Sequence, residues 1–187
     1  MNNVTLDGVM QAPGRPDEDT RGGFGHGGWA GPYNDPVMGE YMAKGMASGA
    51  DLLFGRRTWE DFSRVWPNQP GNPFSELLDR VRKFVASRTL VEPLGWQNSV
   101  LLAGDAAQSV AALKQTDGPD LVVLGSGDLL QTLLRAGLVD TMTLSIHPLV
   151  LGEGRKLFTD ELARTALRLE DSVVTTTGVV IATYTPV

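Results

Sequence analysis

Three short segments carry residue types suited to binding an anion. Gly55-Arg56-Arg57-Thr58 follows the apolar run Leu52-Leu53-Phe54. Ser87-Arg88-Thr89 follows Lys83-Phe84-Val85-Ala86. Gly125-Ser126-Gly127-Asp128-Leu129-Leu130 follows Asp120-Leu121-Val122-Val123-Leu124 and opens a helical pattern. The first backbone N–H groups of a helix lack intrahelical partners, so an anion is favoured beyond them. Arg adds forked donors that stay charged. Gly125 and Gly127 would let a phosphate approach the backbone, and Asp128 suits the first turn of a helix as a carboxylate. Each segment also has a plain reading: surface arginines beside a Thr cap, an ordinary turn, and a tight strand-to-helix turn. The full dinucleotide fingerprint is missing, because Leu130 stands where its third Gly would fall.

The charge distribution favours a small anionic ligand over a nucleic acid. The 187 residues hold 16 Lys+Arg against 22 Asp+Glu, a net charge of −6, whereas a general nucleic-acid binder shows a basic excess. Yet residues 56–88 contain seven of those basic side chains (Arg56, Arg57, Arg64, Arg80, Arg82, Lys83, Arg88) and only four acids. That is a local basic field in an acidic chain.

Other chemistries find little support. The absence of Cys removes disulfides, thiolate nucleophiles and thiolate zinc cages. With only His26 and His147, and no ligand-spaced carboxylates around either, no metal site is expected. His147, followed by Pro148 at a strand end, reads as structural. No GxSxG elbow and no GxxxxGK[ST] loop occurs. No apolar run reaches 18 residues, so no membrane span is expected. Met1 to Met10 lacks the pattern of a signal peptide, which leaves the cytoplasm as the default compartment.

Alternating elements must position these segments. Gly is abundant at 22 residues, and seven of them lie between Gly14 and Gly31. Residues 7–34 are too rich in Gly and Pro for regular structure. The same stretch holds Phe24, His26, Trp29 and Tyr33, which favours a loop that folds over something. Asp35-Pro36 then reads as an N-cap followed by Pro at the first helical position, opening a helix to about Ser48. Further helices are expected over 58–65, 75–81, 105–115 and 127–136. Strands are expected at 51–56, 83–87, 99–103, 120–124 and 141–149, with 120–124 the clearest buried one. The ends of the chain add a short first strand at 2–6 and a hairpin of 167–175 with 179–185 turning at Thr177-Gly178. This alternation predicts one α/β domain over residues 1–187: a mostly parallel sheet with helices on both faces and a C-terminal antiparallel hairpin. In such sheets ligands bind beyond the carboxyl ends of the strands, where all three anion segments fall.

In their order along the chain these segments resemble the dihydrofolate reductase-like superfamily. Within it, the likeness is to bacterial proteins similar to the reductase domain of riboflavin biosynthesis. The residues that carry it are Val4-Thr5-Leu6-Asp7-Gly8, Leu53-Phe54-Gly55-Arg56-Arg57-Thr58-Trp59-Glu60, Lys83-Phe84-Val85-Ala86-Ser87-Arg88-Thr89-Leu90, Gly125-Ser126-Gly127-Asp128-Leu129 and Pro148-Leu149-Val150-Leu151-Gly152-Glu153-Gly154 with Leu157-Phe158. The resemblance covers nearly the whole chain and implies a three-layer fold that binds NADPH across the strand ends. By position, Arg56, Ser87 and Arg88 would hold the 2′-phosphate, with Thr89 beside them. Arg57 and Thr58 would lie along the phosphates, and Gly125, Ser126, Gly127, Asp128 and Leu129 would take the pyrophosphate and the approach to the nicotinamide.

The resemblance also implies a substrate side made by the loop after the first strand, with Leu6, Asp7, Trp29 and Tyr33 lining it. Asp35 would be the substrate-facing acid, a role that its N-cap position also explains without chemistry; Glu40 and Asp7 are the alternatives. The implied activity is hydride transfer from NADPH to a small heterocycle such as a pterin or pyrimidine. The rival reading is a non-catalytic NADP(H)-binding or sensing protein on the same fold. A homodimer is implied too, with the apolar residues Val173, Val174, Val179, Val180 and Ile181 available for an interface.

Overall fold

The computed structural model describes all residues except Ala47, Ser48, Asn68 and Glu161, and the side chains of Gly45 and Met46. Eight strands and five helices follow in the order β1 (Asn2–Thr5), α1 (Pro36–Met46), β2 (Asp51–Gly55), α2 (Arg56–Val65), α3 (Pro73–Arg80), β3 (Lys83–Ser87), β4 (Ser99–Ala103), α4 (Ala106–Leu113), β5 (Leu121–Val123), α5 (Gly127–Arg135), β6 (Met142–His147), β7 (Leu167–Val174) and β8 (Val180–Pro186). The chain divides into two compact units, one formed by residues 1–45 and 139–187, the other by 46–138.

The second unit, continuous in sequence, holds a four-stranded sheet in the order β4-β3-β2-β5 with every pair parallel. A parallel sheet needs a crossover after each strand, and helices α2 to α5 serve in these connections. β2 and β3 occupy the centre and read Asp-Leu-Leu-Phe-Gly and Lys-Phe-Val-Ala-Ser, nearly all buried, as strands covered on both faces should be. Their side chains join a core of Leu52, Phe54, Trp59, Leu78, Val85, Trp96 and Leu124. β5 pairs with β2 alone and is half-buried, so the strand with the most continuous apolar sequence lies at a sheet edge. Lys83 is wholly buried yet satisfied: its Nζ donates to the carbonyls of Leu78 (2.6 Å) and Val81 (2.9 Å) at the end of α3 and lies 4.6 Å from the centre of the Trp96 ring. Burial lowers its pKa to about 8.

The first unit, split in sequence, holds a mixed sheet in the order β1-β6-β8-β7. β1 runs parallel to β6, whereas β8 is antiparallel to both β6 and β7. The expected hairpin is present as β7 and β8, with a bulge between Leu169 and Asp171. Of the five residues offered as an interface, Val179 and Ile181 are fully buried in the core, while Val174 on the outer strand β7 is 63% exposed. The long loop after β1 packs on its own apolar cluster of Val9, Ala12, Phe24 and Trp29 with Leu149 and Leu151. Gln11, buried, ties it: its Nε2 donates to the carbonyls of Asp19 (3.1 Å) and Arg21 (2.9 Å), and its Oε1 accepts from the Arg155 N–H (3.0 Å). Gly154 makes this packing possible. It has φ +112°, and a Cβ there would lie 2.7 Å from Phe24 Cε2 and 2.8 Å from Val9 Cγ1.

Candidate functional site

The anion segments all belong to the continuous unit, and the parallel register brings them to one edge. Gly55 aligns with Ala86, Ser87 with Ala103, and Leu53 with Val123, so β2, β3 and β5 end side by side. α2 starts at Arg56 directly after Gly55, and α5 starts at Gly127 after Ser126. Neither start has a side-chain cap among the described residues. The other two helices of this unit differ: Asn72 caps α3, and the Asp105 carboxylate caps α4 through the Gln108 N–H. That bond comes first among the causes that hold Asp105 below the usual carboxylate range. The uncapped helix starts are therefore the two at which an outside anion meets the least competition.

The two starts are fastened together. The Gly55 N–H donates to Ser126 Oγ at 2.8 Å. A Cβ at Gly55 would sit 3.6 Å from Ser126 Cβ and Leu129 Cβ, and one at Gly125 would sit 3.5 Å from Thr58 Cγ2. Gly125 and Ser126 are consecutive left-handed residues with φ +57° and +56°. That conformation is costly for Ser, and such strain clusters at ligand-binding turns. The Ser126 hydroxyl oxygen thus serves as a brace between β2 and the β5–α5 turn, while Leu129 is buried and offers a ligand only its backbone.

Each arginine of the edge has an acidic neighbour. Arg56 Nη1 lies 3.0 Å from Glu60 Oε1, Arg57 Nη1 3.5 Å from Asp128 Oδ2, and Arg88 Nη2 3.1 Å from Asp105 Oδ2. The Arg57 and Arg88 side chains are 57% and 75% exposed, so these pairs are worth about 0–1 kcal/mol and can be exchanged for a phosphate at little cost. Ser87 Oγ accepts the N–H groups of Thr89 (3.1 Å) and Leu90 (3.0 Å), which shapes the turn and leaves its hydroxyl proton as the donor.

The residues of the expected substrate side all belong to the split unit. Trp29 and Tyr33 pack edge-on against the His147 ring, with centroids 5.1 Å and 5.4 Å away. Trp29 Nε1 donates to the Gln11 carbonyl at 2.7 Å. Asp35 caps α1: its Oδ1 accepts the Val37 N–H at 2.7 Å. Its Oδ2 accepts both the Thr176 N–H (2.8 Å) and the Thr176 hydroxyl. The Thr176 hydroxyl is the chief cause holding the Asp35 carboxyl below its ordinary range, against burial that pushes it up. Thr177 Oγ1 donates to the Tyr33 carbonyl at 2.9 Å, so the β7–β8 turn clasps both Tyr33 and Asp35.

Leu6 and Asp7 belong to a different turn. Leu6 is 66% exposed, its N–H donating to the Leu149 carbonyl. Asp7 accepts the Thr5 hydroxyl (2.6 Å) and the N–H groups of Gly152 (2.9 Å) and Leu151 (3.3 Å). The Thr5 bond leads the causes that lower its pKa to about 2. Asp7 is thus the anchor of a turn.

His147 is the residue whose place the motifs did not signal. It is 1% exposed, its Nε2 lies 3.0 Å from Asn3 Oδ1, and burial lowers its pKa to about 4. The available signal is the alternation Thr143, Ser145, His147, which puts three polar side chains on one face of a covered strand.

One all-parallel sheet, one mixed sheet that ends in a C-terminal antiparallel hairpin, and the helices between the strands define an α/β fold of the dihydrofolate reductase class. Dihydrofolate reductase from Enterococcus faecalis, solved with NADP(H) and RAB-propyl, matches with TM-score 0.60 and 14% identity over 99% of this chain and 93% of that one. A protein from Shewanella sp. PV-4 assigned to riboflavin biosynthesis matches with TM-score 0.65 and 22% identity over 100% and 99%. In sequence, the uncharacterized protein YyaP of Bacillus subtilis is 32% identical over 97% of this chain and 90% of its own. The RibD C-terminal domain family model matches residues 2–181, so the chain belongs to that family, and the match runs through both units.

Proposed function

We propose that the protein is an NADPH-dependent reductase of a small heterocyclic substrate. The observation that carries this reading is the single edge of the parallel sheet, where two uncapped helix starts lie beside two turns bearing Arg56, Arg57 and Arg88. When bound, NADPH supplies the hydride. Arg56, Arg88 and the Ser87 hydroxyl would hold its 2′-phosphate, which NADH lacks. The backbone at Arg57-Thr58 and Gly125-Ser126-Gly127-Asp128 would hold the pyrophosphate. Family membership supports a reductase of this type.

On the substrate side, Asp35 acts as an ionised acceptor for substrate N–H groups. Its lowered pKa suits accepting and opposes donating a proton near neutrality. Trp29 and Tyr33 supply flat apolar walls. The second reading, an NADP(H)-binding sensor without turnover, is favoured by the same Asp35, both of whose oxygens are already engaged by Val37 and Thr176. We also propose a homodimer through β7, the sheet's outer strand, whose Leu169 and Val174 are 53% and 63% exposed. Light scattering of the native chain and of Leu169→Lys would test it.

A fluorescence titration with NADPH and NADH tests the cofactor assignment. The expected result is NADPH binding at least tenfold tighter; equal affinities would overturn it. NADPH oxidation across a panel of pterins and pyrimidines then separates reductase from sensor.

A further inference from the structure

One face of β6 carries a row of polar side chains, and most of that row is satisfied. Thr143 Oγ1 lies 3.0 Å from Thr183 Oγ1, which lies 2.7 Å from the Tyr41 hydroxyl. At the other end His147 Nε2 meets Asn3 Oδ1 at 3.0 Å. Two atoms break the pattern. Ser145 Oγ and His147 Nδ1 are buried with no hydrogen-bond partner, and they are the two such side-chain atoms among the described residues. Ser145 and His147 are 0% and 1% exposed. A buried polar atom without a partner is costly and rare, so the pair calls for a partner of its own.

The chemistry of that partner follows from the protonation of the ring. Asn3 presents its amide oxygen to Nε2, so Nε2 carries the proton and Nδ1 keeps a bare lone pair. The site therefore offers an acceptor at Nδ1 and, from the Ser145 hydroxyl two residues earlier on the same face, a donor. Trp29 and Tyr33 close over the ring edge-on. Tyr33 is half-buried and sits on a single 3-10 turn, Gly31–Tyr33, so it is the more exposed of the two covers.

We propose that His147 Nδ1 accepts a hydrogen bond from an N–H or O–H group of the substrate while the Ser145 hydroxyl donates to an adjacent acceptor. This makes the two residues specificity determinants for a ligand edge that carries donor and acceptor side by side, as a lactam does. The inference rests on the reading of Trp29 and Tyr33 as the substrate side. It adds a requirement that walls and a carboxylate alone do not impose: the ligand must bring a proton to a neutral imidazole.

Nuclear magnetic resonance of the uniformly 15N-labelled full chain tests this directly, since its ring-nitrogen spectrum holds two His and His26→Gln assigns them. The probes are uracil, which carries lactam N–H groups, and 1,3-dimethyluracil, which carries none. Uracil, added to its solubility limit, should move the His147 Nδ1 resonance, and 1,3-dimethyluracil should not. The affinity preference for uracil should be roughly tenfold, fall below about twofold in Ser145→Ala and His147→Phe, and persist in His147→Gln. An unmoved Nδ1 resonance would overturn the proposal, including the case where uracil shifts only the Trp29 indole. So would a trapped water as the sole partner, or an equal preference in Ser145→Ala. NADPH titrated into the same sample reads the amides of Arg56 and Ser87. Loss of the cofactor reading there is distinct from a silent His147.

Discussion

The arginine-bearing edge and the histidine cluster handle polar groups in opposite ways. At the edge, charge is abundant and wet: Arg88 is 75% exposed and each arginine shares a loose pair with a carboxylate. In the cluster, His147 is 1% exposed, neutral, and lacks a partner on one nitrogen. Exposed pairs cost little to exchange, so the edge can accept a highly charged ligand without reorganising. A buried neutral acceptor gains nothing from charge and selects for hydrogen-bond pattern. If the proposed ligands bind, affinity falls to one region and discrimination to the other.

The comparison breaks most visibly at the arginines. Arg56→Ala with Arg88→Ala should weaken NADPH binding roughly a thousandfold, since two charge-assisted bonds at about 2 kcal/mol each are lost. NADH affinity should change little, and a matched loss for both cofactors in the titration would remove the 2′-phosphate from this edge.

The next effect belongs to His147. Its pKa falls from 6.5 to about 4 on folding, so between those values the unfolded chain binds a proton that the folded chain refuses. Stability should be full above pH 6.5, decline as the pH falls through that window, and level off below about 4. The size is about 3 kcal/mol. Urea unfolding at a series of pH values, compared with His147→Phe, isolates this contribution; identical profiles would mean that the ring takes up its proton as readily in the fold as in the unfolded chain.

Gly154→Ala should destabilise by about 2 kcal/mol, because the new methyl group meets Phe24 and Val9 and φ is +112°. The urea midpoint should shift while NADPH affinity stays put. A parallel loss of NADPH binding would show that the loop core and the nucleotide edge are one cooperative system. The smallest effect is expected for Asp128→Asn. Its pair with Arg57 is exposed, so stability should move by less than about 0.5 kcal/mol, with NADPH binding up to about threefold tighter in the same titration.

The elements of the arginine-bearing edge were legible because each of its parts is contiguous. Gly55-Arg56-Arg57-Thr58 and Gly125-Ser126-Gly127 are strand, turn and helix start in one reading frame, and β3 and β4 fall at 83–87 and 99–103 as their apolar runs predict. The use of Ser126 was not legible, since its hydroxyl meets Gly55 across 71 positions. The other region depends on such pairings throughout. Asp35 with Thr176 and His147 with Asn3 span 141 and 144 positions, and no local pattern announces them. The strand at 121–123 shows a further limit: apolar continuity marks a strand, but its place at the edge of β4-β3-β2-β5 is set by topology.

The nesting of one unit within the other along the chain has a consequence for synthesis. β1 emerges first and pairs with β6, whose first residue, Met142, comes roughly 140 positions later. At about 5–20 residues per second the ribosome leaves β1 waiting about 7–28 s for its partner. By the end of that interval all of residues 46–138, a unit with parallel pairings of its own, have been made. The arginine-bearing edge can thus form before the histidine cluster can exist. Pairing β1 with β6 closes a loop of roughly 140 residues, the kind of long-range contact that slows folding.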